Sequence, residues 1–327
     1  GNPYRWPDDV KEEWERLLAT AELNRYPDPR AQNLKMALRE FMAVSPSMEV
    51  LLGNGSDELI QMLALAVADS RRKILAPEPT FVMYRMIATF AGMEYVGVPL
   101  IGGDFSLDMP AMQDAIATHQ PAIVFLSYPN NPTGNLFNVG QVEELISIAP
   151  GIVVVDEAYA AFASDSFISR LDNYDNLLLL RTVSKMGLAG LRLGMLIGPP
   201  AWLQEMDKVR LPYNINVLTQ LSAGFALEHH DMLDAQTEAI CADRELLYAE
   251  LATIAEIDVF PSEANFILFR VPAGQADSVF EGLRSRGVLI KNLHESSQWL
   301  RDCLRVTVGT TDENRIFLNA LRDCLQA

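Results

Sequence analysis

The chain is 327 residues long, 49% apolar and 21% charged, with a formal net charge of −17. Such an excess of acid argues against nucleic acid and anionic membranes as partners, because both select positive surface. The length predicts about two domains and room for a large buried core.

Three cysteines, Cys241, Cys303 and Cys324, are widely spaced and form no C-x-x-C pair. A sparse, odd set fits free thiols in a reducing cytoplasm. The four histidines show no zinc-type spacing. No apolar run approaches the ~18 residues of a membrane span, and no signal-peptide pattern is present. The chain starts abruptly at "GNPYRWP".

In chain order, 56–69 reads as a helix, 73–76 ("KILA") as a strand, and 80–91 and 108–118 as helices. "AIVFLS" (122–127) is a strand, 140–148 a helix, and "IVVV" (152–155), "LLLL" (177–180) and "LGMLIG" (193–198) are strands. These strands are continuously apolar rather than alternating, as in a sheet covered on both faces. The βαβα order implies an α/β fold with a mainly parallel, doubly wound sheet. Beyond about 220 the pattern changes to a long helix near 232–255, "ANFILFRV", a helix near 276–286, "GVLIKNL", "CLRVTVG" and a last helix near 312–325. That predicts a large domain over 21–224 and a smaller α+β domain over 225–327, joined by residues 1–20.

Ligands of a doubly wound sheet sit beyond the carboxyl ends of its strands. "YPNNPTG", "DEAY" and "RTVSK" follow three successive strands, so Asn131, Asp156, Tyr159 and Lys185 project from one rim. "GNGSDE" (53–58) precedes an apolar helix, with Ser56 as its expected N-cap and free amides that suit an anion. It is neither a dinucleotide fingerprint nor a Walker A loop, since Glu58 occupies the third glycine position and no G-K-[ST] occurs. A lysine in a partly apolar pocket near another cation, such as Arg192, becomes a usable amine nucleophile. A carboxylate to keep a pyridine nitrogen protonated, donors for a phenolate, and an anion site complete the set that pyridoxal phosphate requires.

"YPNNPTG", "VVVDEAY", "SKMGLAGLRLG" and "CLRVTVG" resemble the signatures of fold-type I pyridoxal-phosphate aminotransferases, and most closely the histidinol-phosphate aminotransferase family. The resemblance runs from "NPY" to the last helix. It implies that Lys185 attaches covalently to the cofactor aldehyde and shuttles the substrate proton. It implies further that Asp156 pairs with the ring nitrogen, and that Tyr159 and Asn131 hold the ring oxygen. The phosphate would be held at Ser56 and Asp57, assisted by Ser184 and Arg192. Phe81 would stack on the ring, with Tyr84 as the alternative.

By the same resemblance, Tyr26 of "NRYPDP" reaches a partner subunit's cofactor phosphate, which makes a homodimer with composite sites. Arg305 clamps the substrate anion. Lys291 stands where some relatives have a second arginine and supplies a point charge without the fork. Relatives cover the substrate with a tyrosine from an N-terminal arm; Asn2 and Tyr4 are the nearest counterparts here. The implied reaction is transfer of the amino group of L-histidinol phosphate to 2-oxoglutarate. Aromatic amino-acid transamination, phosphothreonine decarboxylation, or a non-catalytic sensor on the same fold are the competing expectations.

Overall fold

A computed structural model describes residues 1–68 and 71–326. Its centre is a seven-stranded sheet of β1 (Glu49–Asn54), β2 (Lys73–Glu78), β3 (Glu94–Pro99), β4 (Ile123–Ser127), β5 (Ile152–Asp156), β6 (Leu177–Thr182) and β7 (Leu193–Gly198). The spatial order is β1-β7-β6-β5-β4-β2-β3. Pairings from β3 through β2, β4, β5 and β6 are parallel, and β7 runs antiparallel to both β6 and β1. The expectation of a mainly parallel sheet therefore holds, with β7 as the exception.

Every residue of β4, β5 and β7 is buried, which is why these runs are apolar without alternation. Two cores lie on opposite faces. One contains Leu126, Val153, Val155 and Leu179, and the other Phe125, Val154, Leu178 and Leu180. Alternate residues of one strand thus enter different cores, as the two-residue period of a strand requires.

The helices Gly55–Ala66, Met83–Phe90, Met109–His119 and Val139–Ile148 match the four expected ones closely. Residue 69, where the sequence spacing ends the first of them, lies outside the described residues, as does residue 327. The expected N-cap at Ser56 is corrected: the helix begins at Gly55 with Asn54 as N-cap, so Ser56 belongs to its first turn. Gly55 has φ +78, a conformation glycine adopts without strain, and this lets the chain turn from β1 into the helix one residue early.

A second, antiparallel sheet takes β8 (Asp258–Val259), β9 (Phe266–Arg270), β10 (Lys291–Asn292) and β11 (Cys303–Thr307) in the order β10-β11-β9-β8. It is backed by the helices His230–Ala252, Ala276–Ser285 and Thr311–Gln326, whose apolar faces join Phe266, Phe269 and Leu304 in a third core. The N-terminal helix Asp8–Leu18 buries none of its own residues fully. It is held to the helix Val217–Glu228 by Trp14, whose indole N–H donates to Ser222 Oγ at 2.8 Å, and by Trp6 packed on Phe225. No helix among the described residues is long and apolar enough to cross a membrane.

Candidate active site

Register brings the site together. Ser127 at the end of β4 pairs with Asp156 at the end of β5, and Asp156 pairs with Leu180 of β6. Thr182, two residues on, lies opposite Gly194 of β7, which lies opposite Gly53 of β1. The segments that follow these strands carry Asn131, Tyr159, Ser184, Lys185 and the start of the Gly55–Ala66 helix to one rim.

Asp156 is 4% exposed. Its Oδ1 accepts from the Ala158 amide at 3.1 Å and its Oδ2 from the Tyr84 hydroxyl at 2.5 Å. Burial pushes its carboxyl up to about 6, against the pull of those two donors, while the Asp57 and Glu157 charges add to the rise. No cation of the chain forms an ion pair with it among the described residues. A buried acid in that condition suits a cationic ring nitrogen, which would supply the missing countercharge.

Lys185 sits in a short turn, Ser184–Met186, directly after β6. Its Nζ lies 5.3 Å from the centroid of the Tyr159 ring. Burial lowers its proton affinity first, then the Arg305 and Arg192 charges, with Asp156 and Asp57 opposing. The sequence pointed to Arg192 as the neighbouring cation; both arginines act on the amine, and Arg305 has the larger effect. Lys185 has no ion pair among the described residues, so the amine is not locked by a carboxylate.

The anion end is built from backbone. A Cβ on Gly194 would lie 2.7 Å from the carbonyl carbon of Gly55 and 2.8 Å from the Ser56 nitrogen, so only glycine lets the helix start press against β7. The first amides of a helix have no intrahelical acceptor, and no side chain caps them here. Arg192 stands over this turn, its Nη2 2.6 Å from where a Gly55 Cβ would be and 3.8 Å from Asp57 Oδ2. Glu58 points the other way, accepting from the Asn54 amide at 2.5 Å. Ser184 is buried beside this turn, where its hydroxyl accepts from Thr182 Oγ1 at 2.9 Å.

Phe81 lines a cleft of about 820 Å³ together with Asn131, Lys291, Trp299 and Arg305. Tyr84 lies beneath it, fully buried and edge-on to Phe81 at 5.6 Å. Of the two aromatics, Phe81 lines the cleft and Tyr84 does not. Arg305 belongs to β11, an interior strand. Its Nη1 donates to Asn131 Oδ1 and its guanidinium lies 4.8 Å from the Phe266 ring centroid. Its Nε is the one buried side-chain polar atom among the described residues without a hydrogen-bond partner. Lys291 is directly opposite Arg305 across β10 and β11, and opposed residues of an antiparallel pair project to the same face.

Tyr26 stands apart from this cluster, whereas the N-terminal segment lies beside it. Tyr26 is 81% exposed and stacks on Tyr213 at 4.6 Å rather than reaching Lys185 of its own chain. Tyr4 packs against the core that contains Tyr159 and Phe162, while Asn2 lies against Gly187. Tyr84 entered the sequence reading only as a stacking alternative.

The residues fit pyridoxal phosphate at each part tested: an uncompensated buried acid, an amine with lowered proton affinity, an aromatic face and an uncapped helix start closed in by glycine. Fold and site together define a cofactor-dependent α/β transferase. The chain belongs to the family described as aminotransferase class I and II, which it matches over residues 2–321. It is 56% identical over 321 residues to a histidinol-phosphate aminotransferase 2 of Nitrosococcus oceani, covering 98% of this chain and 89% of that one. Among solved structures, the histidinol-phosphate aminotransferase of Clostridium acetobutylicum has a TM-score of 0.90 at 23% identity, covering 99% of this chain and 97% of that one. The Sinorhizobium meliloti histidinol-phosphate aminotransferase, solved in complex with pyridoxal-5′-phosphate, has a TM-score of 0.89 at 23% identity, covering 99% of this chain and 89% of that one. At such identities the structural likeness carries the fold.

Proposed function

We propose that this chain, as a pyridoxal-phosphate-dependent aminotransferase, converts L-histidinol phosphate and 2-oxoglutarate to imidazole-acetol phosphate and L-glutamate in histidine biosynthesis. The observation that carries the reading is Arg305. Its unpartnered Nε marks a place for a substrate anion, close enough to Lys185 to lower that amine's proton affinity. Lys291, on the same face, supplies a second positive charge for a doubly charged phosphate. The names carried by relatives of about half identity over nearly the whole chain agree with this choice.

When bound, pyridoxal phosphate supplies an electron sink for the pair left as the donor carbon loses its proton. The protein does the rest. Lys185 Nζ, whose proton affinity is lowered by burial and the Arg305 charge, would attach the cofactor and then take and return the donor-carbon proton. Asp156 holds the ring nitrogen; Asn131 and Tyr159 hold the ring oxygen. The amides at Ser56 and Asp57, with Ser184 and Arg192, hold the phosphate. Phe81 covers one ring face, and Tyr4 approaches the substrate side from the N-terminal segment. Tyr26 serves the site of a second copy in a homodimer. Separate sheets support a division into a large unit over 21–224 and a small unit over 225–327 with 1–20, and the free cysteines suit a cytoplasmic setting.

The test presents the cofactor-loaded protein with one donor at a time and follows loss of its visible absorbance. Histidinol phosphate and glutamate are expected to convert it efficiently, phenylalanine and O-phosphothreonine poorly. Fastest conversion by phenylalanine, or CO₂ release from O-phosphothreonine, overturns the assignment.

A further inference from the structure

We propose that Tyr84 is a positioning residue for this reaction: its hydroxyl, donated to Asp156 Oδ2, fixes the plane of that carboxylate and keeps it ionised for the cofactor's ring nitrogen. The inference rests on the reading of Asp156 given above and adds a second residue to it.

The geometry of Tyr84 leaves its hydroxyl one task. The ring is 0% exposed, stacked on Phe125 at 4.5 Å with an interplanar angle of 5°, and closed on its other side by the edge contact with Phe81. A phenylalanine would fill the same slot, so apolar packing does not call for the oxygen. That oxygen sits 2.5 Å from Asp156 Oδ2. Burial and the facing carboxylate raise the phenol's own ionisation well above its ordinary value, so it acts as a fixed donor. The second donor on Asp156, the Ala158 amide, bonds the other oxygen, so each carboxylate oxygen has a donor that favours one orientation.

The ionisable groups that face Asp156 are Tyr84, Asp57, Glu157, Tyr159 and Lys185. Of these, Tyr84 is the one that donates a hydrogen bond to the carboxylate, and its donation favours the ionised form. Without it, Asp156 takes up its proton at higher pH. A protonated Asp156 no longer offers negative charge to the ring nitrogen, so cofactor affinity falls as pH drops through that point.

The experiment compares wild type, Tyr84→Phe and Asp156→Asn as cofactor-free proteins. Each is titrated with pyridoxal phosphate between pH 5 and 8.5 by intrinsic fluorescence, with melting temperatures recorded alongside. For Tyr84→Phe the pH below which affinity declines is expected to rise by about one to two pH units, and affinity at neutral pH to drop roughly tenfold. The cofactor's own titrations are common to all three proteins and cancel in the comparison. An unmoved pH midpoint, with only a lower melting temperature, overturns the positioning role. If Asp156→Asn binds the cofactor as wild type does, the reading of Asp156 itself fails, a result distinct from failure of Tyr84 alone.

Discussion

At the scale of single residues, the site is a set of charges that the chain leaves unbalanced. Asp156 is the clearest case. An acid whose folded value is raised binds its proton more tightly in the folded state than in the unfolded one. Stability then falls as pH rises between the two values. Here the unfolded value is 3.8 and the folded one about 6, so the penalty is small at pH 4 and essentially complete above about pH 7. Its full size is about 3 kcal/mol. Asp156→Asn is therefore expected to raise the melting temperature of the cofactor-free protein at pH 8 and to leave it nearly unchanged at pH 4. With cofactor bound the order reverses, because the ring nitrogen compensates the wild-type charge and not the amide. A cofactor-free variant melting no higher than wild type at pH 8 contradicts this account. Arg305 shows the same imbalance with the opposite sign: burial lowers its proton affinity, and its Nε has no hydrogen-bond partner.

At the scale of elements, the decisive contact is between the start of the Gly55–Ala66 helix and β7. Gly194→Ala would place a Cβ within 2.7–2.9 Å of three backbone atoms, the carbonyl carbon and oxygen of Gly55 and the nitrogen of Ser56. Backbone cannot swing aside as a side-chain tip can, so the helix start must move off the strand. The expected cost is about 1–3 kcal/mol in stability. Pyridoxal phosphate affinity should fall by more than tenfold, because the amides no longer converge on the phosphate. Equilibrium dialysis and thermal melting check this, and wild-type affinity in a folded Gly194→Ala protein contradicts it.

The elements that position the site were also the easiest to read from sequence. β4, β5, β6 and β7 are buried on both faces and so write themselves as continuous apolar runs, which places Asn131, Asp156 and Lys185 by simple succession. β1 and β3 escaped because they are the two outer strands. "EYVGVP" of β3 is mostly half-buried, and β1 ends in Gly53 and Asn54, which read as a turn. Tyr84 escaped for a different reason. Its partner lies 72 residues away, and no spacing along the chain announces a hydrogen bond made through the fold. Lys291 could be matched to Arg305 in sequence only by resemblance, since β10 is two residues long and its register exists only in three dimensions.

At the scale of the whole molecule, a chain of net charge −17 still exposes a set of large apolar side chains around Tyr26. Leu23 and Leu211 are each 72% exposed, and Tyr213, stacked on Tyr26, is 42% exposed. Such a patch marks a protein-facing surface, and a two-fold homodimer would bury it against itself. If Tyr26 completes the partner's site, each site draws Lys185 from one copy and Tyr26 from the other. Take one chain carrying Lys185→Ala and a second carrying Tyr26→Ala, each much less active alone. In a heterodimer of the two, one site collects both substitutions and the other collects neither. Co-expression of the two chains is then expected to restore about a quarter of wild-type turnover, from random pairing with one intact site per heterodimer. Sites built within single chains predict no recovery, because every site would still carry one lesion. Turnover of the mixed population, measured against the average of the two parents, separates the outcomes, and activity equal to that average removes the case for a shared site.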